Sequence, residues 1–220
     1  GTNMSLTFSA GVRDALNVAS DSVSDIMKVL SKGLLMGARG NSGVITSQIF
    51  RGIYQGVEGL DVVNGAQLAR ALVTGSRVAY RAVMRPVEGT ILTVVREAAD
   101  YTYAYAMDQE DVSCEAVMAK MLEESKASLE RTPVLAEVGV VDSGGCGLCT
   151  IFEGFLSAMR GEVIQPQAVE KRSETAGAAM ESEEFGFCTE FIIRLSAHGA
   201  RNFDENSMRE ELATIGNSIV

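Results

Sequence analysis

Apolar residues recur every three to four positions along most of the first 160 residues. Such a period predicts amphipathic helices that bury one face in a core. The runs consist of Val23, Met27, Leu30 and Leu34; Ile45, Ile49, Ile53 and Val57; Leu68, Leu72, Ala79 and Val83; Ile91, Val95 and Ala98; Val117, Met121, Leu122 and Leu129; and Leu148, Phe152, Phe155 and Met159. Thr90 is the expected N-cap of the fourth helix. Residues 1–161 are therefore predicted to form an all-helical bundle with short glycine-containing turns.

The pattern changes after Gly161. Residues 162–183 are polar and small without periodicity, which predicts a linker. From Phe185 to Leu195 apolar and polar residues alternate as in a half-buried strand, and a short helix is predicted from Asp204 to Ile215. The final "NSIV" resembles the start of another strand. Residues 184–220 are therefore expected to begin an α/β domain.

The composition and charge of the chain argue against several classes of function. Of the 220 residues 46% are hydrophobic, and the formal net charge is −10. A nucleic-acid partner is not expected, because such binding depends on clustered Lys and Arg. Neither a long apolar run nor a secretory signal is present in the sequence. A cytoplasmic protein with no transmembrane segment is predicted.

The stretch "GARGNSG", residues 37–43, lies just before a predicted helix. The first amides of a helix lack intrahelical acceptors and carry the positive end of its dipole, so a glycine-rich approach suits a bound phosphate. The alternative is that Asn41 or Ser42 merely caps the helix. Two further glycine-containing stretches, "VVDSGGCG" (140–147) and "GTNM" (1–4), also precede helices. Three such loops in one bundle favour a common ligand.

Cys146 and Cys149 form a C-x-x-C motif on a predicted helix. A structural zinc site requires four ligands, and no second pair accompanies this one. We therefore interpret both as reduced, partly buried small residues.

Four stretches carry a family resemblance: "GTNMSLT", "LMGARGNSGVITSQIFRG", "RPVEGTILTVVREAA" and "GVVDSGGCGLCTIFEGF". Together they resemble the nucleotide-binding domain of bacterial fatty acid kinases, and "FGFCTEFIIR" resembles the start of the middle domain of that family. The resemblance implies a mainly α fold: an eight-helix barrel related to the L domain of dihydroxyacetone kinase, followed by a partial α/β middle domain. It also implies ATP or ADP with magnesium as cofactors. The implied reaction is phosphoryl transfer to a fatty acid carboxylate, which yields an acyl phosphate.

The resemblance also assigns residues. The nucleotide-binding set it implies is Thr2, Asn3, Gly40, Asn41, Ser42, Gly43, Glu88, Thr90, Asp142, Gly144 and Gly145. For Asp142 the alternative is a helix cap. Arg39, Arg85 and Arg131 are candidates to stabilise charge on the moving phosphoryl group, or else solvated surface arginines. Catalytic residues are not assigned.

The family motif D-G-D-T-G-T-N-M contains aspartates that bind magnesium, and this sequence begins at Gly1 within that motif. The chain by itself is therefore expected to be inactive. The family also holds a middle-domain metal through a cysteine, here Cys188, and a later H-x-H pair that this sequence lacks. The implied partners are a DegV-like fatty-acid-binding protein and a second copy joined through the middle domain.

Two other functions remain open. One is a kinase for a small ketone such as dihydroxyacetone, although the loop "RPVEGT" departs from the G-D-K-T-M-L-D pattern of that branch. The other is a regulatory subunit that binds ADP without turning it over.

Overall fold

The computed structural model describes residues 1–131, 142–162, 193, 195–196 and 203–216, and these residues contain helices but no strand. The helices are α1 (Thr2–Ala15), α2 (Val23–Met36), α3 (Gly40–Val57), α4 (Gly65–Ala82), α5 (Ile91–Met107), α6 (Cys114–Arg131), α7 (Ser143–Met159) and α8 (Glu205–Leu212). The mainly helical class is thus confirmed. None of these helices is long and apolar enough to span a membrane.

Helices α1 to α7 form an up-and-down ring in which each helix packs against the next, and α1 also touches α7. Cross-helix contacts show the alternation: Lys126 on α6 meets Glu153 on α7, whereas Glu115 meets Arg160. The same antiparallel arrangement holds for α3 and α4, where Gly52 lies against Gly75 and Gly56 against Ala71. With neighbours alternating in direction, α1, α3, α5 and α7 all begin at the same end of the ring. We refer to it as the odd-start end.

The core lies inside the ring and is filled by the residues that the periodicity marks. Leu34, Ile49, Leu72, Val95 and Leu148 are all at most 2% exposed. Helix α1 lacks this signature, because its buried residues are Met4, Thr7 and Gly11. Met4 is thus the one large apolar residue of α1 that is fully buried, and Phe8 and Val12 pack against the core while partly buried.

A groove of about 560 Å³ separates much of α1 from α7. Its walls include Phe8 of α1 and Ile151 and Phe155 of α7. Beneath the groove, the ring centroid of Phe8 lies 5.4 Å from that of Phe50 on α3. The ring centroids of Phe155 and Phe50 are 6.1 Å apart. These three rings connect α1, α3 and α7.

Helices α3 and α4 approach closely through glycine. A Cβ placed on Gly52 would lie 2.6 Å from the carbonyl oxygen of Thr74 and 2.7 Å from the Cα of Gly75. Both atoms belong to the backbone of α4, so they cannot move aside as a side chain could. Only a residue without a Cβ fits this contact.

Gly52→Ala should therefore lower the free energy of unfolding by about 1–3 kcal/mol through overpacking. Gly154→Ala is the matched control, since Gly154 also lies in a helix but has nothing within 4 Å of its notional Cβ. That control should gain about 0.5–1 kcal/mol from helix propensity. Urea denaturation measures both; an equal response would mean that α3 and α4 are not held this tightly.

Beyond the ring, the predicted helix from Asp204 is confirmed as α8, and Asp204 accepts a hydrogen bond from the amide of Asn206 (3.2 Å). The predicted strand lies mostly outside the described residues. Its two described members, Ile193 and Leu195, are exposed and belong to neither helix nor strand, with no described strand beside them. The predicted linker, except Glu162, also lies outside the described residues, as do Cys188 and "NSIV".

Candidate nucleotide site at the odd-start end

The sequence-predicted loops meet at the odd-start end. At Gly40 a Cβ would lie 2.7 Å from Nδ2 of Asn3, so the starts of α1 and α3 touch. At Gly147, one turn into α7, a Cβ would lie 2.5 Å from the sulfur of Met4, and at Gly144 a Cβ would lie 3.3 Å from that of Ile91. The predicted loops 1–4, 40–43, 88–90 and 142–145 are therefore brought together.

Helix α3 begins earlier than the sequence suggests. Its N-cap is Arg39, whose side chain makes no capping hydrogen bond, and Gly40 is the first helical residue, with φ +60°. Asn41 and Ser42 lie inside the first turn, so neither is the cap considered above. A positive φ suits glycine because it has no Cβ. The amides of this first turn point out of the helix end, as an anion requires.

Asn41 is exposed and Ser42 is half-buried. The carbonyl of Ser42 accepts a hydrogen bond from Thr46 (2.7 Å), whereas its hydroxyl has no hydrogen-bond partner among the described residues. Gly43 is buried against Thr7. The Ser42 hydroxyl is thus a polar group at the helix start that a ligand could use.

The start of α7 differs, because Asp142 is its N-cap. Asp142 Oδ2 accepts a hydrogen bond from the amide of Gly145 (2.6 Å). Gly144 and Gly145 are both buried against α5 and Asp142. This geometry matches the alternative role of Asp142 as a helix cap, and it places a carboxylate where it satisfies α7 rather than an added anion.

The loop "RPVEGT" is held by a network around Glu88. Glu88 Oε2 accepts hydrogen bonds from Thr93 (2.6 Å) and Arg96 (2.9 Å), and Oε1 accepts one from Tyr80 (3.0 Å). Arg96 also donates to the Tyr80 hydroxyl (3.0 Å). The hydrogen bond from Thr93 lowers the pKa of Glu88. Because both carboxylate oxygens are engaged, Glu88 organises this loop.

Thr90 follows in the same loop. It caps α5, as predicted, by accepting a hydrogen bond from the amide of Leu92 (3.4 Å), and its hydroxyl donates to the carbonyl of Val87 (2.7 Å). Of the four odd-numbered helices, α5 and α7 have side-chain caps, whereas α1 and α3 do not. The start of α3 is therefore a better place for an anion than the starts of α5 and α7. Thr2 and Asn3, at the neighbouring start of α1, are exposed.

The candidate arginines divide into two groups. Arg131 pairs with Glu97 (3.0 Å), which also accepts a hydrogen bond from Ser128 (2.8 Å). Arg39 and Arg85 are exposed, and their guanidinium groups form no ion pair within the described part of the chain. The latter two are thus the ones available to a phosphate.

The C-x-x-C motif does not form a metal centre with other described residues. Cys146 is exposed and Cys149 is buried, and burial raises the pKa of the Cys149 thiol to about 11. No group of three or more His, Cys, Asp and Glu residues that could hold a metal ion occurs among the described residues. The predicted burial is therefore correct for Cys149 and wrong for Cys146.

Comparison with known families identifies the family to which this chain belongs. Residues 1–157 match the model of the DAK2 domain. The chain belongs to the DAK2 domain family. Residues 184–220 also match the model of the FakA-like middle domain of fatty acid kinases. The resemblance stated from the sequence motifs is thereby confirmed.

Relatives of this DAK2 chain align with all of it. Protein YloV of Bacillus subtilis is 44% identical over 235 residues, and an uncharacterized protein of Staphylococcus saprophyticus is 43% identical over 233. An uncharacterized protein of Staphylococcus haemolyticus is 42% identical over 235 residues. The chain spans 42% of the length of each of these relatives.

The functional geometry contains residues that the sequence did not indicate. Thr7, Tyr80, Thr93 and Arg96 all make hydrogen bonds that fix the predicted loops. Thr7 lies in "GTNMSLT" and Thr93 and Arg96 lie in "RPVEGTILTVVREAA", but the sequence assigned no role to them. Thr7 and Thr93 occupy buried helix positions, so a pattern of apolar residues passes over them.

Proposed function

We propose that this chain is the nucleotide-binding part of a fatty acid kinase. The proposed reaction transfers the γ-phosphoryl group of ATP to the carboxylate of a fatty acid, giving an acyl phosphate and ADP. The DAK2 match supports a kinase family, and the middle-domain match over 184–220 favours the fatty acid branch over a dihydroxyacetone-type kinase. The proposed setting is the cytoplasm.

The observation that carries the proposal is that the start of α3, which has no side-chain cap, lies beside the start of α1. The first turns of α1 and α3 lie side by side, with Asn3 against Gly40. Two positive helix ends and their outward amides form a local anion-binding surface on a chain of net charge −10. A polyphosphate is the anion that would engage both helix starts at once.

In this proposal the amides at Asn41 and Ser42 and the Ser42 hydroxyl bind phosphate oxygens. Thr2 and Asn3 approach from α1, and the backbone at Thr90 and Gly144 borders the same end. Arg39 and Arg85 compensate charge on the transferred group. Stabilising that charge and positioning the phosphates are the main requirements of phosphoryl transfer.

The acceptor explains why no general base has to be assigned. A fatty acid carboxylate is ionised near neutral pH, so its oxygen attacks the γ-phosphorus without losing a proton. The bond between that phosphorus and the oxygen shared with ADP breaks, and ADP leaves with its electron pair. The chain must hold both groups in line and keep the phosphates neutralised.

Magnesium enters this proposal as the ion that accompanies ATP. Asp142 and Glu88, the two carboxylates of the predicted site, are engaged with Gly145 and with Thr93 and Arg96. Because both carboxylates are already engaged, this donor set does not fit a metal site.

A separate protein is proposed to present the fatty acid, as a DegV-like binding protein would. A long acyl chain held by such a partner would expose only its carboxylate to the odd-start end. Omitting the partner from an acyl phosphate assay should then abolish product while nucleotide binding persists.

Ser42→Ala in the full-length protein tests the phosphate contact. Losing a hydrogen bond to a charged acceptor should cost about 1.5–3 kcal/mol, or roughly 10- to 150-fold in affinity for ADP by calorimetric titration. Ser47→Ala is the control, because Ser47 is buried in the same helix and donates to the carbonyl of Val44 (2.7 Å). Wild-type affinity in the Ser42 variant would exclude this hydroxyl from the site.

A further inference from the structure

Thr7 links α1 to the start of α3. Its side chain is fully buried, and its hydroxyl donates to the carbonyl of Asn3 (2.8 Å). The same oxygen accepts a hydrogen bond from the amide of Arg39 (3.0 Å), the N-cap residue of α3. One hydroxyl therefore fixes the entry of the chain into α3 relative to α1.

Thr93 has the same arrangement at α5. It is 4% exposed, its hydroxyl donates to Glu88 Oε2 (2.6 Å), and it accepts a hydrogen bond from the amide of Gly89 (2.8 Å). Gly89 immediately precedes the N-cap Thr90 and has φ +78°. Arg96 donates to the same oxygen of Glu88, and Tyr80 donates to the other one, Oε1.

The two hydroxyls share one bonding pattern. Each is buried, each uses both its donor and its acceptor capacity, and each takes the amide of a residue just before a helix start. Burying a polar group is unfavourable unless it is hydrogen-bonded. Moving either hydroxyl away from its two partners would therefore cost free energy. The helix starts at the odd-start end are thus held by side chains rather than by packing alone.

We propose that Thr7 and Thr93 are positioning residues of the nucleotide site: Thr7 sets the placement of the α3 helix-start amides that face the phosphates, and Thr93 holds the loop at Gly89 that borders the same end. This inference rests on the function proposed above. Neither side chain contacts nucleotide; each acts through the backbone that it holds. Valine keeps the shape of threonine but cannot accept the amide of Arg39 or Gly89.

The test uses Thr7→Val and Thr93→Val in the full-length protein, with Thr→Ser at each position as rescue. Thr102→Val is the matched control: Thr102 is also fully buried on α5, but its hydroxyl faces only the sulfur of Met121 (3.7 Å) and no helix start. Two quantities are measured: amide hydrogen exchange without nucleotide over residues 38–42 and 88–92, and ADP affinity by calorimetry.

The expected result is local. Thr7→Val should speed exchange over 38–42 and Thr93→Val over 88–92, each by roughly tenfold or more, and each should weaken ADP binding by roughly tenfold. Serine should restore both quantities, and Thr102→Val should change neither. If Thr93→Val does not fold, Tyr80→Phe replaces it. This variant removes one hydrogen bond to Glu88 and should also speed exchange over residues 88–92.

The outcomes separate the two ideas. If wild-type protein binds ADP and the valine variants bind it equally well, the positioning role is wrong and the proposed function stands. The same conclusion follows if only global stability changes and serine gives no rescue. If wild-type protein binds no nucleotide, the proposed function is wrong, and the role of both threonines in a nucleotide site falls with it.

Discussion

Gly43→Ala should reduce nucleotide affinity at least about 100-fold and also destabilise the fold. A Cβ at Gly43 would collide with Oγ1 of Thr7, which two hydrogen bonds hold in place. The first turn of α3 must then move away from α1, at a cost of about 1–3 kcal/mol in the free energy of unfolding. Calorimetric titration with ADP and urea denaturation measure the two effects. A loss of stability would itself be informative, because replacing glycine by alanine inside a helix ordinarily raises the free energy of unfolding.

Adding Thr7→Ala to the Gly43 variant separates the collision from the lost hydrogen bonds. The double variant removes the obstructing oxygen, so stability should recover in large part. Affinity should not recover, because Arg39 still lacks its acceptor. Recovery of both would show that Gly43 matters only for packing, and a stable Gly43→Ala variant with normal affinity would contradict the close contact itself.

Phe50→Ala should give the largest loss of stability, about 3–5 kcal/mol. Phe50 is 1% exposed, and its ring contacts Phe8 and Phe155, so its removal leaves a cavity where α1, α3 and α7 meet. Chemical denaturation followed by circular dichroism measures the change.

Leu16→Ala provides the contrast, because Leu16 is 80% exposed and should change stability by less than about 0.5 kcal/mol. Phe50→Leu keeps most of the buried volume and should cost less than Phe50→Ala. Similar losses of stability for Leu16→Ala and Phe50→Ala would mean that the three phenylalanines do not hold α1, α3 and α7 together.

Most helices could be predicted from the sequence because their cores are apolar at regular spacing. Helix α3 illustrates the limit: Ile45, Ile49 and Ile53 locate it, but its start at Gly40 depends on the contact with Asn3. Helix α1 shows a deeper limit. Its fully buried positions include Thr7 and Gly11, which serve close approach and hydrogen bonding, and its apolar residues Phe8 and Val12 are only partly buried.

The site was predictable where local chain chemistry decides it. Glycines next to helix starts identify the loops, and Thr90 was predictable as a cap from its position alone. The direction of the Glu88 carboxylate was not, since it depends on Tyr80 and Arg96 across two helices. Asp142 was ambiguous for a related reason: a helix cap and a ligand for nucleotide have the same sequence signature.

The order of the ring also bears on how the chain folds. Nearly every helix packs on its neighbour in sequence, so most native contacts close short loops. Short loops lose little entropy on closing, and chains of low contact order fold quickly. The joint between α1 and α7 is the exception, because it spans the whole ring. We therefore expect the closing of that joint to be the slowest step of folding.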